Sequence, residues 1–127
     1  MRREVVLVVD DDPACRELIS EILADAEYDC LQADGGRGAI DLTARRPDVL
    51  LTDLLMPDKD GVEVIMEVRR RWPLTRIVAM SGGFGVIEAG QLLRTATMLG
   101  AHAVLRKPFT SAQLLDCVSA VLLARRP

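Results

Sequence analysis

The sequence predicts an α/β protein: a (βα)5, doubly wound, five-stranded parallel sheet with helices on both faces. Three observations predict it. Short apolar runs recur at residues 5–9, 30–33, 49–52, 77–80 and 103–105. Stretches with helical spacing lie between them. The runs are continuously apolar rather than alternating, as expected of strands covered on both faces, and therefore of a parallel sheet. The chain of 127 residues contains no Ser/Gly-rich linker, repeat or low-complexity tract, so a single domain over 1–127 is expected.

The first run, "VVLVV", ends in three aspartates and Pro13. Asp12 before Pro13 reads as a helix start, with the acid as N-cap and proline at the first helical position. Leu18, Ile19, Ile22, Leu23 and Ala26 then form one apolar stripe. After the second run, Ala39, Ile40 and Thr43 suggest a weaker helix. The third run closes on Asp53, and Gly61 is expected to supply a backbone conformation that other residues resist. Val64, Ile65 and Val68 begin the next helix. "RRRW" at 69–72 closes it, with cations at the negative end of the dipole and Pro73 as the stop. The fourth run leads into "SGGFGVIEAGQLL", a long, glycine-rich connection expected to be mobile until something orders residues 82–90. Leu92, Ala96 and Leu99 follow at helical spacing. After the fifth run, Pro108 delays the last helix, Thr110 or Ser111 caps it, and Leu114, Val118, Val121 and Leu122 form its buried stripe.

Composition narrows the function. A net charge of −3 argues against direct nucleic-acid binding, which usually needs a basic face. No stretch approaches the roughly 20 apolar residues of a membrane span, and no signal-peptide pattern opens the chain. Cys15, Cys30 and Cys117 are odd in number and fit no metal spacing, so reduced core thiols and a cytoplasmic location are expected. His102, in the turn before the fifth run, is expected to be solvated.

In a doubly wound sheet, ligands bind beyond the carboxyl ends of the strands. Asp10 and Asp11 stand at the end of the first strand, Asp53 at the third, Ser81 at the fourth and Lys107 just past the fifth. Each has an ordinary reading as a solvated turn residue. Their occurrence at four strand ends points instead to one polar site. Two carboxylates about 4 Å apart repel by roughly 4 kcal/mol at an effective dielectric of 20. Three are stable together if a divalent cation joins them or one takes up a proton. Oxygen-only ligands suit Mg2+, or Mn2+, and Lys107 can supply further positive charge. Gly83 and Gly85 do not make a dinucleotide fingerprint, because Glu88 holds the third glycine's place.

"VVDDD", "LLTDLLMPDKDG", "AMSGG" and "LRKPF", in this order and at these intervals, resemble the response-regulator receiver domain of two-component signalling over essentially the whole chain. The resemblance implies a flavodoxin-like sheet of order 2-1-3-4-5. It implies that Asp53 is the phospho-accepting nucleophile, with Mg2+ held by Asp11 directly, Asp10 mostly through water, Asp53 and the Leu55 backbone carbonyl. Ser81 and Lys107 match the hydroxyl and the lysine that meet the phosphoryl group. The implied donor is a phosphohistidine on a histidine kinase or phosphotransfer protein; the downstream protein target is not implied. The chain departs from the family at Val104, where an aromatic residue usually moves inward on phosphorylation. A phosphatase of the haloacid-dehalogenase type would share the Asp nucleophile and Mg2+, but needs a second acid where Leu55 stands. A degenerate receiver acting only as a binding surface would be expected to lack one of the polar residues, and all are present.

Overall fold

The computed structural model describes residues 2–54, 61–82, 91 and 94–124. The strands are β1 (Val5–Val9), β2 (Asp29–Ala33), β3 (Val49–Asp53), β4 (Arg76–Ser81) and β5 (Ala103–Arg106). The helices are α1 (Pro13–Asp25), α2 (Gly36–Leu42, continued by a 3-10 turn over Thr43–Arg45), α3 (Gly61–Arg71), α4 (described over residues 94–98) and α5 (Ser111–Ala124). All strand pairs are parallel, in the order β2-β1-β3-β4-β5. This is the flavodoxin-like arrangement that the sequence leads one to expect.

Alternation along the central strands sorts the core into two layers. Val6, Val8, Val49, Leu51, Val78 and Met80 face Ile19 and Leu23 of α1 and Leu114, Val118, Val121 and Leu122 of α5. Leu7, Val9, Leu50, Ile77 and Ala79 face Ala39 of α2, Val64, Ile65 and Val68 of α3, and Ala96 of α4. Each fully buried Leu or Ile contributes about 1.5–3 kcal/mol against exposure. Edge strand β2 departs from the continuous apolar pattern: Asp29 and Gln32 are exposed, as one uncovered edge allows.

The helix ends follow local chemistry. Asp12 caps α1, accepting from the backbone N–H groups of Ala14 at 3.0 Å and Cys15 at 3.5 Å, with Pro13 opening the helix. Thr110 and Gln113 form a reciprocal box before α5, at 3.1 and 2.8 Å. At the amino edge of the sheet, buried Asp48 accepts from the Val5 N–H at 2.8 Å and from both Arg2 terminal nitrogens at 3.0 and 2.8 Å.

Two expectations need correction. His102 is exposed on one side, but it is not merely solvated: its Nδ1 accepts the Ile77 N–H at 3.0 Å, beside the start of β5. The three cysteines are free, as expected, but half-buried at the margin of the α1/α5 layer rather than fully in the core. Residues 83–90 of the glycine-rich connection, and Leu92, lie outside the described residues. Among the described residues, no helix is long and apolar enough to cross a membrane.

Candidate functional site

The register builds the site. Val9 of β1 lies opposite Thr52 of β3, so Asp10 follows level with Asp53. Asp53 pairs with Met80, which puts Ser81 one step beyond; Ser81 pairs with Arg106, and Lys107 is one step further. Alternation adds the direction. Asp10 continues the row of Val6 and Val8, Asp53 that of Val49 and Leu51, and Lys107 that of Leu105. All three therefore belong to the α1/α5 face. Ser81 continues Ile77 and Ala79, on the other face.

The side chains meet accordingly. Lys107 Nζ donates to Asp10 Oδ2 at 2.7 Å and to Asp53 Oδ2 at 3.0 Å. Asp10 is fully buried and its Oδ1 accepts the Asp12 N–H at 3.0 Å, while Asp53 is 9% exposed. Asp11 is exposed, and one carboxylate oxygen from each of Asp10, Asp11 and Asp53 lies within 4.8 Å of the others. Burial pulls the Lys107 ammonium toward its neutral form, but the hydrogen bonds and charges of Asp10 and Asp53 outweigh it and raise its pKa above the ordinary lysine value. Three carboxylates facing one ammonium leave the cluster formally at −2. A pair at the 4.8 Å limit repels by about 3.5 kcal/mol at an effective dielectric of 20.

The donor set fits a small hard cation. Mg2+ at about 2.1 Å from its oxygens brings neighbouring ligands to about 3.0 Å and opposite ones to about 4.2 Å. With all three oxygens within 4.8 Å of one another, small side-chain movements would bring them to such an ion. Leu55, expected to offer its backbone carbonyl, lies outside the described residues, as do Asp58 and Asp60.

Ser81 is buried at the same edge, and its carbonyl accepts the Lys107 N–H at 2.8 Å. Among the described residues, no hydrogen bond joins its hydroxyl to the carboxylates. Two glycines shape the rim. A Cβ on Gly82 would lie 2.5 Å from Lys107 Cβ, so only glycine leaves the lysine stem its place. A Cβ on Gly61 would strike the Asp53 carbonyl oxygen and lie 2.8 Å from Leu54 Cα. The restriction at Gly61 is thus one of contact. Neighbours that sequence reasoning missed include Arg16, whose Nη1 donates to the Asp10 carbonyl at 2.9 Å. Burial, then the bond to Asp10, pushes the Cys15 thiol up to about 11. One signal was available: Cys15 and Arg16 lie in the first turn of the helix that follows the acids.

A family model for the response regulator receiver domain matches residues 6–119. The chain belongs to this family. Relatives of the receiver domain include the response regulator protein PilR of Pseudomonas aeruginosa, 34% identical over 129 residues. The match takes in 100% of this chain but only 28% of PilR, so the chain spans under a third of that relative's length. Sporulation initiation phosphotransferase F of Bacillus subtilis is 30% identical over 123 residues, 96% of each protein. Among solved structures, chemotaxis protein CheY4 of Vibrio cholerae superposes with a TM-score of 0.84 at 29% identity, covering 94% of this chain and 99% of that one. In this receiver domain, Val104 lies on the outer strand, 41% exposed.

Proposed function

We propose that this receiver domain of a two-component response regulator accepts a phosphoryl group on Asp53 from a phosphohistidine and changes its binding to a protein target. The observation that carries the reading is the pairing of Asp53 with Lys107 at 3.0 Å beside two further carboxylates. An Asp53 carboxylate oxygen attacks phosphorus in line. The P–N bond to the donor imidazole breaks, and the electron pair leaves with the imidazole nitrogen, which takes a proton. Lys107, already charged and held by Asp10, turns its ammonium to the transferred oxygens. Ser81 comes across the strand end to donate its hydroxyl. Asp10, Asp11, Asp53 and the Leu55 carbonyl would hold Mg2+, or Mn2+, which when bound neutralises charge on the phosphoryl oxygens.

The donor is a histidine kinase or phosphotransfer protein. Some relatives are named DNA-binding transcriptional regulators, and the match covers 23% of such a protein. With its net charge of −3, this chain is proposed to meet protein partners rather than nucleic acid. The test is incubation with Mg2+ and acetyl phosphate, followed by intact-mass measurement. Wild type should gain one phosphoryl group and Asp53→Asn none. A gain that survives Asp53→Asn refutes the assignment. No gain in wild type favours a receiver that acts as a binding surface alone.

A further inference from the structure

The amino edge of the sheet, opposite the acidic cluster, holds a cavity of about 740 Å3. Its walls include Arg2, Arg45, Arg46, Arg71, Trp72 and Leu74. Arg2 is bound to Asp48 through two hydrogen bonds and carries no spare charge. Arg45, Arg46 and Arg71 are exposed and form no ion pair among the described residues. Three positive charges therefore line one concavity in a chain whose net charge is −3.

Two of the three are held in place. The Arg46 and Arg71 guanidinium carbons lie 4.7 and 5.4 Å from the centre of the Trp72 ring, close enough for its face to attract both cations. The ring is anchored in turn, because Trp72 Nε1 donates to the Thr43 carbonyl at 2.6 Å. Arg71 also donates to Thr43 Oγ1 at 3.3 Å. Arg46 takes the left-handed backbone, φ 54, which a side-chain-bearing residue rarely adopts. The helix dipole accounts for arginines at the end of α3. It does not account for Arg45 and Arg46, which come from another segment to the same wall.

We propose that this cavity binds a small compound bearing two or more phosphate groups. Guanidinium forks match phosphate oxygens in pairs, and all the cations are arginine rather than lysine. The volume falls within the range of small-molecule sites, about 300–1,000 Å3. Leu74, 77% exposed, offers an apolar wall to the organic part of such a ligand. Prestacked guanidiniums lose little freedom on binding, which favours affinity.

Trp72 is the chain's single tryptophan, so its fluorescence reports on this cavity alone. The experiment titrates the metal-free full chain with pyrophosphate and with ATP, and repeats each titration by calorimetry. Saturable binding that weakens with salt is expected. Arg45→Gln, which removes no ion pair of the described residues, and Arg46→Gly, whose backbone accepts φ 54 without strain, should each weaken it about tenfold. Both should melt as cooperatively as wild type and still take up phosphoryl from acetyl phosphate. Binding should persist in Asp53→Asn. Any of four results overturns the proposal: no response at millimolar ligand, equal binding by both arginine variants, loss in Asp53→Asn, or tighter binding of an oligoglutamate peptide than of pyrophosphate.

Discussion

Replacing Lys107 with methionine keeps a chain of similar length but removes a cation 2.7 Å from Asp10 and 3.0 Å from Asp53. Three carboxylates within 4.8 Å of one another then lack their ammonium. Asp11 is exposed, so water and salt screen its repulsions. Asp10 and Asp53 are not so screened: their side chains are 0% and 13% exposed. At the 4.8 Å limit, that pair alone costs about 3.5 kcal/mol at an effective dielectric of 20. The lysine side chain is itself only 21% exposed, and breaking a buried pair on one side typically costs about 3–5 kcal/mol. Without divalent cation, Lys107→Met is therefore expected to lower stability by about 3–4 kcal/mol. For a domain of this size, that shifts Tm down by roughly 10–20 °C.

The assay is thermal denaturation followed by circular dichroism, in chelator and then across a Mg2+ series. Lys107 and a dication draw on the same carboxylate oxygens. The variant should consequently bind Mg2+ more tightly than wild type and recover more of its Tm as the ion is added. A variant as stable as wild type in chelator would refute the electrostatic account of the site. So would Mg2+ stabilising both proteins equally.

Other perturbations probe the surroundings. Burial, helped by the charges of Arg76 and Arg69, lowers the His102 pKa. A lowered folded value means that the unfolded chain protonates first, so this contribution is complete above the ordinary histidine value near 6.5 and is lost as pH falls from there toward the folded value. Denaturant melts at pH 5 and 7.5, with an imidazole NMR titration of this single histidine, should show the loss; in His102→Phe the difference should shrink. Gly82→Ala forces a Cβ to within 2.5 Å of Lys107 Cβ and should cost about 1–3 kcal/mol while slowing uptake from acetyl phosphate. Burial pushes the Cys15 and Cys30 thiols up to about 11, from a usual 9.0. Iodoacetamide at pH 8 should thus modify them about 100-fold more slowly in the folded than in the unfolded chain, as mass spectrometry can follow.

Strand ends were legible because a charged residue closing an apolar run has few structural reasons to be there. Asp10, Asp53 and Lys107 were found that way, and parallel register then brings them together. The helix stripes of α3 and α5 were legible for the same reason: burial enforces a period. Contacts between distant segments leave no such periodic trace. Asp48 stands just ahead of the third apolar run with no pattern to mark it, although it holds Arg2 and the first N–H of β1. "RRRW" reads as a helix end, which it is; its meeting with Arg46 depends on how α3 packs beside the turn after α2. His102 is exposed, as expected, but its bond was missed because the partner, the Ile77 N–H, is 25 residues away.

The departure at Val104 can be weighed from the sheet itself. Ala79 pairs with Val104 and Ser81 with Arg106, so Ser81 and Val104 occupy the same face of adjacent strands, two residues apart. A valine has one rotatable side-chain bond and a strong preference at it, so it cannot carry a swing from that face to the outer edge. What is tied to Ser81 is Lys107, through the N–H to carbonyl bond at 2.8 Å and the close fit of its stem on Gly82. A phosphoryl group that drew the ammonium and the serine hydroxyl together would displace these backbones as a unit, leaving the side chain at 104 a bystander. Val104→Ala, at a position 41% exposed, should therefore change stability by no more than about 0.5 kcal/mol. It should also leave unchanged the set of amide NMR shifts that move on treatment with beryllofluoride, a phosphoryl mimic. If the alanine variant instead lost the response beyond β5, the valine itself would be the element that transmits it.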